Sequence, residues 1–167
     1  MSAQPHQLAD VPEAFRPFVP DHGKSPWHPS VKATKRVLNP LPAPTVHECG
    51  TPVEIAHHQQ VYGRDYSEWP WMYRCAACDA SVGMHPFTNI PLGTLADKAL
   101  RDIRKACKQP FQVLWEHGRM TRTEAYAGLA AHLGIEVEAC HFGWFDAATC
   151  IRARDWAVAT LRNGGTR

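Results

Sequence analysis

Read from its amino terminus, the chain changes its pattern of hydrophobic and polar positions twice. Residues 1–46 show neither helical nor alternating periodicity and carry nine of the fourteen prolines. They predict an extended arm that builds no packed layer of its own. From 47 to 90 the pattern is one of short strands and turns. Thr51–His58 and Trp71–Cys75 read as β-strands, with Gly63–Pro70 a turn or loop between them. After Pro91 the apolar spacing becomes helical: Leu95, Ala99, Ile103, Ala106 and Cys107 follow a capping box of Thr94 and Asp97. Pro110 ends or kinks that helix, and Phe111, Val113, Leu114 and Trp115 continue it briefly to Gly118. A further helix runs from Thr121, with Glu124 as its capping partner, to Gly134. The last opens on Asp146, buries Cys150, Ala153, Ala157 and Leu161 on one stripe, and stops before Gly164 and Gly165. Short connections predict that these helices pack together as a small bundle. The fold class is therefore α+β: an extended proline-rich arm (1–46), a small β-hairpin module (47–90) and a small helical bundle (91–167).

At 167 residues, with 44% hydrophobic residues and six tryptophans, the chain can bury one core. Its apolar runs are broken well before the roughly 18 residues that a membrane span needs, and its amino terminus lacks a basic-then-apolar signal. These features predict a cytoplasmic protein without membrane contact. Six cysteines clustered with histidines point to metal in a reducing compartment rather than to disulfides. Cys107 and Cys150 fall on helix faces and read as core residues.

The hairpin module carries the candidate chemistry. Cys75 and Cys78 are two residues apart, so both sulfurs can reach one metal from a tight turn, and thiolates at about 2.3 Å suit Zn²⁺. Upstream, His47 and Cys49 precede a glycine just ahead of the first strand, the backbone context of a zinc knuckle. The expected ligand set is His47, Cys49, Cys75 and Cys78, holding one closed, structural Zn²⁺. His57, His58 and His85 compete for the fourth place. His85, Cys140 and His141 form a possible second site.

The net charge of +2 demands no nucleic-acid partner, so its distribution matters more. Tyr62, Arg64, Tyr66, Trp69, Trp71 and Arg74 mix aromatic faces with cations on the hairpin. Lys98, Arg101, Arg104, Lys105 and Lys108 form a basic stripe on the first long helix. Together they are the candidate nucleic-acid-binding residues. Phe15, Phe18 and Trp27 lie among cations in the arm and are candidates for holding a protein partner. No nucleophile elbow, phosphate-cradling glycine loop or His-Glu-x-x-His pattern is present, and a non-enzymatic role is expected.

Several separated motifs occur in one order: Val61-Tyr-Gly, Cys75-Ala-Ala-Cys78, Val82-Gly-Met-His85, Pro91-Leu-Gly-Thr-Leu-Ala-Asp97, Glu124-Ala-Tyr and Cys140-His-Phe-Gly-Trp-Phe-Asp146. Over residues 46–152 the chain resembles the zinc-finger-containing domain proteins of unknown function found in bacteriophages and bacterial genomes. The resemblance implies a zinc ribbon with a helical carboxyl-terminal part, and host cytoplasm as the location of a phage-encoded member. That family's first knuckle is Cys-x-x-Cys. Its first cysteine falls here on Val46, which rules out four-cysteine coordination and leaves either His47 as a substitute ligand or a degenerate site. Two roles follow as expectations: contact with nucleic acid through the ribbon aromatics and the basic helix face, or a protein-binding adapter, host-factor inhibitor or virion component whose arm wraps a larger assembly.

Overall fold

A computed structural model describes residues 25–117 and 119–163. Phe15 and Phe18, the arm aromatics singled out above, lie outside them. The first described element is one helical turn, α1 (Val31–Thr34), capped by the Ser30 side chain. The Ser30 N–H donates to Phe87 O at 2.8 Å, Pro26 is fully buried, and Trp27 sets its ring edge-on to Trp71 at 5.2 Å. Around Pro26–Ser30 the arm thus rests against the protein's own body.

That sheet is a three-stranded antiparallel meander of β1 (Val53–His57), β2 (Trp71–Cys75) and β3 (Ser81–Gly83), in the order β1-β2-β3. Register pairs Val53 with Cys75 and Arg74 with Ser81. Because successive side chains alternate across a strand, Trp71 and Tyr73 share one face with Val53, Ile55 and Val82. Trp69, Met84 and Phe87 close that face into a small core. Met72 and Arg74 occupy the other face. The first two strands lie where alternation predicts them. The connection between them also contains a short helix, α2 (His58–Tyr62). The buried His57 side chain and Gln60 form its capping box, and Gly63 ends it in the left-handed region.

The helical part consists of α3 (Lys98–Glu116), α4 (Arg122–Leu133) and α5 (Ala147–Asn163), with two 3-10 turns at Val137–Ala139 and Phe142–Trp144. Phe111 is its centre, touching the rings of Trp115, Tyr126, Phe142 and Trp156. Leu114, Leu129, Cys150, Ala153 and Ala157 are fully enclosed around it. Thr121 and Glu124 form the expected capping box of α4, and Gly134 closes that helix at φ 72°. Asp146 accepts from Thr149 N at 2.7 Å at the head of α5.

Two details differ from the sequence reading. Helix α3 is capped by Asp97, which accepts from Leu100 N, rather than opening at Thr94. Ala96 exchanges backbone hydrogen bonds with Ser81 in both directions, so the segment just ahead of α3 extends the sheet edge and is held out of the helix. The helix also continues past Pro110 without ending there. The lost hydrogen bond and ring clash of an interior proline cost about 3 kcal/mol. Burial of Cys107, Phe111 and Leu114 on one stripe spanning the proline opposes that cost.

Sheet and helices meet at a glycine contact. A β-carbon on Gly93 would lie 2.3 Å from the carbonyl oxygen of Gly143. Thr94 N donates to that same oxygen at 3.0 Å. Arg104 completes the seam, donating to Phe145 O, Thr94 O and Thr94 Oγ1. Among the described residues no helix is long and apolar enough to cross a membrane.

Candidate metal centre

Two tight turns bring four side chains to one point. In the first, His47 N donates to Thr51 O and Gly50 N to His47 O, with Gly50 at φ 80°. That left-handed conformation is open to glycine at little cost. It turns the chain so that His47 and Cys49 face the same way ahead of β1. In the second, Cys75 N donates to Ala80 O, and Ala77 N points at Cys75 Sγ from 3.5 Å. Pairing of Val53 with Cys75 lays the two turns side by side. The ligand atoms of His47, Cys49, Cys75 and Cys78 all lie within 4.8 Å of one another.

The spacings can be tested against a metal. A tetrahedral Zn²⁺ with sulfur at about 2.3 Å and nitrogen at about 2.05 Å places its ligands about 3.8 Å apart for S···S and about 3.6 Å for S···N. Here Cys49 Sγ and Cys75 Sγ are 3.5 Å apart, His47 Nδ1 and Cys49 Sγ 3.2 Å, and Cys78 Sγ and His47 Nδ1 3.6 Å. These distances fit one small ion held by three sulfurs and Nδ1. Hydrogen bonds from Thr51 first, then His47, pull the Cys49 thiol down to about 6, which favours the thiolate that binds metal. Cys75 is buried, while Cys49 and Cys78 are exposed at the rim.

The competing histidines are engaged elsewhere. His57 Nδ1 accepts from Gln59 N, and His58 Nδ1 from Tyr66 N. His85 sits at the far end of β3, where burial and then the charge of His141 lower its pKa. Among the described residues the His47–Cys78 group is the one set of three or more such side chains able to share an ion. The possible second site of His85, Cys140 and His141 does not assemble as a metal centre. Cys140 is enclosed in the helical core, where burial pushes its thiol to about 11. His141 is exposed and lies against Trp144.

The aromatic and basic candidates separate into two groups. Trp69 and Trp71 are buried, and the Trp69 indole donates to Thr88 O; their faces are part of the core and cannot stack on a base. Arg101 and Arg104 do not stand in a free basic stripe. Arg101 donates to Ala96 O, Ser81 Oγ and Asp79 O, fastening α3 to the sheet, and Arg104 spans the glycine seam. Lys98 is paired with Asp102 at 2.6 Å, while Lys105 is exposed and Lys108 partly so.

Tyr62 and Tyr66, by contrast, are 45% and 58% exposed, edge-to-face at 5.2 Å. Arg64 lies over the Tyr66 ring at 4.5 Å, and His58 contacts both tyrosines. Thr51, Asp79 and Ser81 carry the knuckle and the α3 clamp yet went unremarked in the sequence. A Thr directly after Cys49-Gly50 was the available signal for the first.

No curated protein and no solved structure matches the chain significantly. A zinc-finger-containing domain family matches residues 44–158, spanning both knuckles, the sheet and the helices down into α5. With that span covering most of its length and a Cys/His cluster where such a domain requires one, the chain belongs to the zinc-finger-containing domain family.

Proposed function

We propose that the protein is a non-enzymatic nucleic-acid-contacting module whose ribbon is held by one structural Zn²⁺ on His47, Cys49, Cys75 and Cys78. Bound there, the ion supplies folding free energy by crosslinking the two knuckles, as a closed four-ligand site does. The observation that carries the nucleic-acid reading is the exposed Tyr62–Tyr66 pair with Arg64 on one of its rings. Aromatic faces beside a guanidinium contribute stacking and charge neutralisation together, and Tyr62 at the end of α2 and Tyr66 in the loop after it stay half-exposed while packing on each other and on His58. A gel shift at rising salt tests it. Wild-type protein is expected to retard nucleic acid with affinity falling as salt rises, and Tyr66→Ala with Arg64→Glu to abolish the shift while leaving the melting curve unchanged. Binding indifferent to salt, or no binding, refutes it.

A second reading rests on a separate observation. Trp27, Val31 and Leu38 are 60%, 70% and 83% exposed along the arm-derived segment, large apolar side chains that a docked protein would cover. In this reading the segment docks a protein, making the chain an adapter, host-factor inhibitor or virion component. Loss of a co-purifying protein on Trp27→Ala with Leu38→Ser supports it; retention of the same partners refutes it.

A further inference from the structure

Ahead of the first knuckle, the chain is ordered by its prolines rather than by hydrogen bonds. Pro40, Pro42 and Pro44 each fix φ at about −65°, and Leu41 and Ala43, each followed by a proline, are kept out of the helical region. All five residues are thereby held close to polyproline-II geometry, a left-handed helix of about three residues per turn. Burial shows that period. Leu41, Pro44 and His47 are half-buried, while the residues between them, Pro42 and Ala43, then Thr45 and Val46, are exposed. One edge of the strand therefore lies on the protein, and two ridges face outward. The ridge of Pro40, Ala43 and Val46 is wholly apolar, with Val46 59% exposed. Both ends are fixed: Val37 N donates to Thr34 O at the start, and Thr45 O accepts from Val53 N at the end. Between them, residues 38–44 make no backbone hydrogen bond among the described residues.

We infer that residues 38–46 are a preformed polyproline-II strand offered to a protein partner whose groove is lined by aromatic rings and edged by carboxylates, which names the partner class of the protein-docking reading above and rests on it. A sheet edge is the wrong receptor, because Pro40, Pro42 and Pro44 have no N–H to donate to a ladder. Nucleic acid is a poor match as well, since its phosphates gain nothing from the apolar ridge of Pro40, Ala43 and Val46. Aromatic grooves take polyproline-II strands by packing rings against prolines, and Pro40 and Pro42 stand exposed for that contact, one on each outward ridge. Charge sets the groove's rim. Residues 25–47 contain Lys32, Lys35 and Arg36 and no aspartate or glutamate, and all three cations are exposed just ahead of the strand. They complement an acidic rim and repel a basic one. Because the strand is already ordered and anchored, docking forfeits little conformational entropy.

The test titrates the full, zinc-loaded chain against purified modules of SH3, WW and EVH1 type, whose aromatic grooves take polyproline-II strands, with binding read by calorimetry. Binding to at least one module is expected, and an oligoproline peptide should compete for it. Pro40→Ser with Pro42→Ser is expected to weaken binding about tenfold or more, the scale of a truncated interface anchor, with melting curve and zinc content as in wild type. Lys35→Glu with Arg36→Glu is expected to weaken it about threefold or more and to reduce its salt dependence. No module bound, binding that oligoproline leaves untouched, or binding indifferent to the proline variant overturns the strand. The wider docking reading is judged separately on a co-purifying protein. A protein lost from Trp27→Ala with Leu38→Ser but kept by the proline variant leaves docking standing without the strand, and one kept by both variants overturns both.

Discussion

The seam between sheet and helices makes a sharp quantitative test at Gly93. A methyl group there would stand 2.3 Å from Gly143 O, 2.8 Å from its carbonyl carbon and 3.2 Å from its Cα, all backbone atoms that no side-chain rotation can move. To accommodate alanine, the Phe142–Trp144 turn must retreat. That stretches the Thr94 N–H bond to Gly143 O and the three Arg104 bonds that share the seam. Overpacking of a rigid site costs about 1–3 kcal/mol. A weakened network of hydrogen bonds, one partner charged, adds about 1 kcal/mol or more. We therefore expect Gly93→Ala to lose about 3 kcal/mol, a fall in melting temperature of roughly 6–12 °C for a chain of this size. Gly63→Ala is the control. Gly63 sits at φ 69° with open space around its missing β-carbon, so only left-handed strain of about 1–2 kcal/mol applies. Thermal unfolding followed by circular dichroism reads both. A Gly93→Ala protein as stable as wild type, or less affected than Gly63→Ala, would refute the reasoning.

Arg101 clamps α3 through three hydrogen bonds, and Arg101→Met is expected to lower unfolding free energy by about 2 kcal/mol in urea titrations while the zinc content stays the same. Burial, the largest cause, lowers the pKa of His57 below its ordinary 6.5. The unfolded chain therefore takes up a proton first on acidification, so this contribution is complete above pH 6.5 and lost as pH falls through the folded value. With zinc saturating, the stability of wild type should drop as the pH falls below 6.5, and His57→Leu should flatten that slope relative to its own value at neutral pH. With zinc bound, the rim thiols Cys49 and Cys78 should resist alkylation, and removal of zinc by a chelator should release them. Cys140 and Cys150, raised to about 11 by burial, should react only on unfolding. Mass-spectrometric mapping of maleimide adducts measures the order, and zinc should protect Cys49.

What was legible in the sequence depended on how local the cause is. The strands at Thr51–His58 and Trp71–Cys75 announced themselves because one face alternates into a core. The α4 caps were equally plain, because Thr121, Glu124 and Gly134 act through neighbours in the chain. Spacing likewise picked out His47, Cys49, Cys75 and Cys78 as ligands, and the structure brings them together. The misreadings share a different cause. Strand β3 is three residues long, too short to show a period, and it exists because β2 and the Ala96 edge pair with it. Arg101 and Arg104 recur on a helix face as an exposed basic stripe would, yet their acceptors are backbone oxygens supplied from as far away as Phe145. Trp69 and Trp71 could have stacked on a ligand as easily as on each other's neighbours. Only the register, which places Trp71 beside Trp27 and Tyr73 inward, decides for the core.

Whether one ion joins the two knuckles is read out by X-ray absorption at the zinc edge, with metal analysis of the same purified sample. The expected result is about one zinc per chain, with three sulfur scatterers at about 2.3 Å and one nitrogen at about 2.0 Å, and loss of the metal together with the folded ribbon in Cys75→Ser. A metal-free chain that is fully folded, or a bound ion whose shell lacks sulfur, would contradict it.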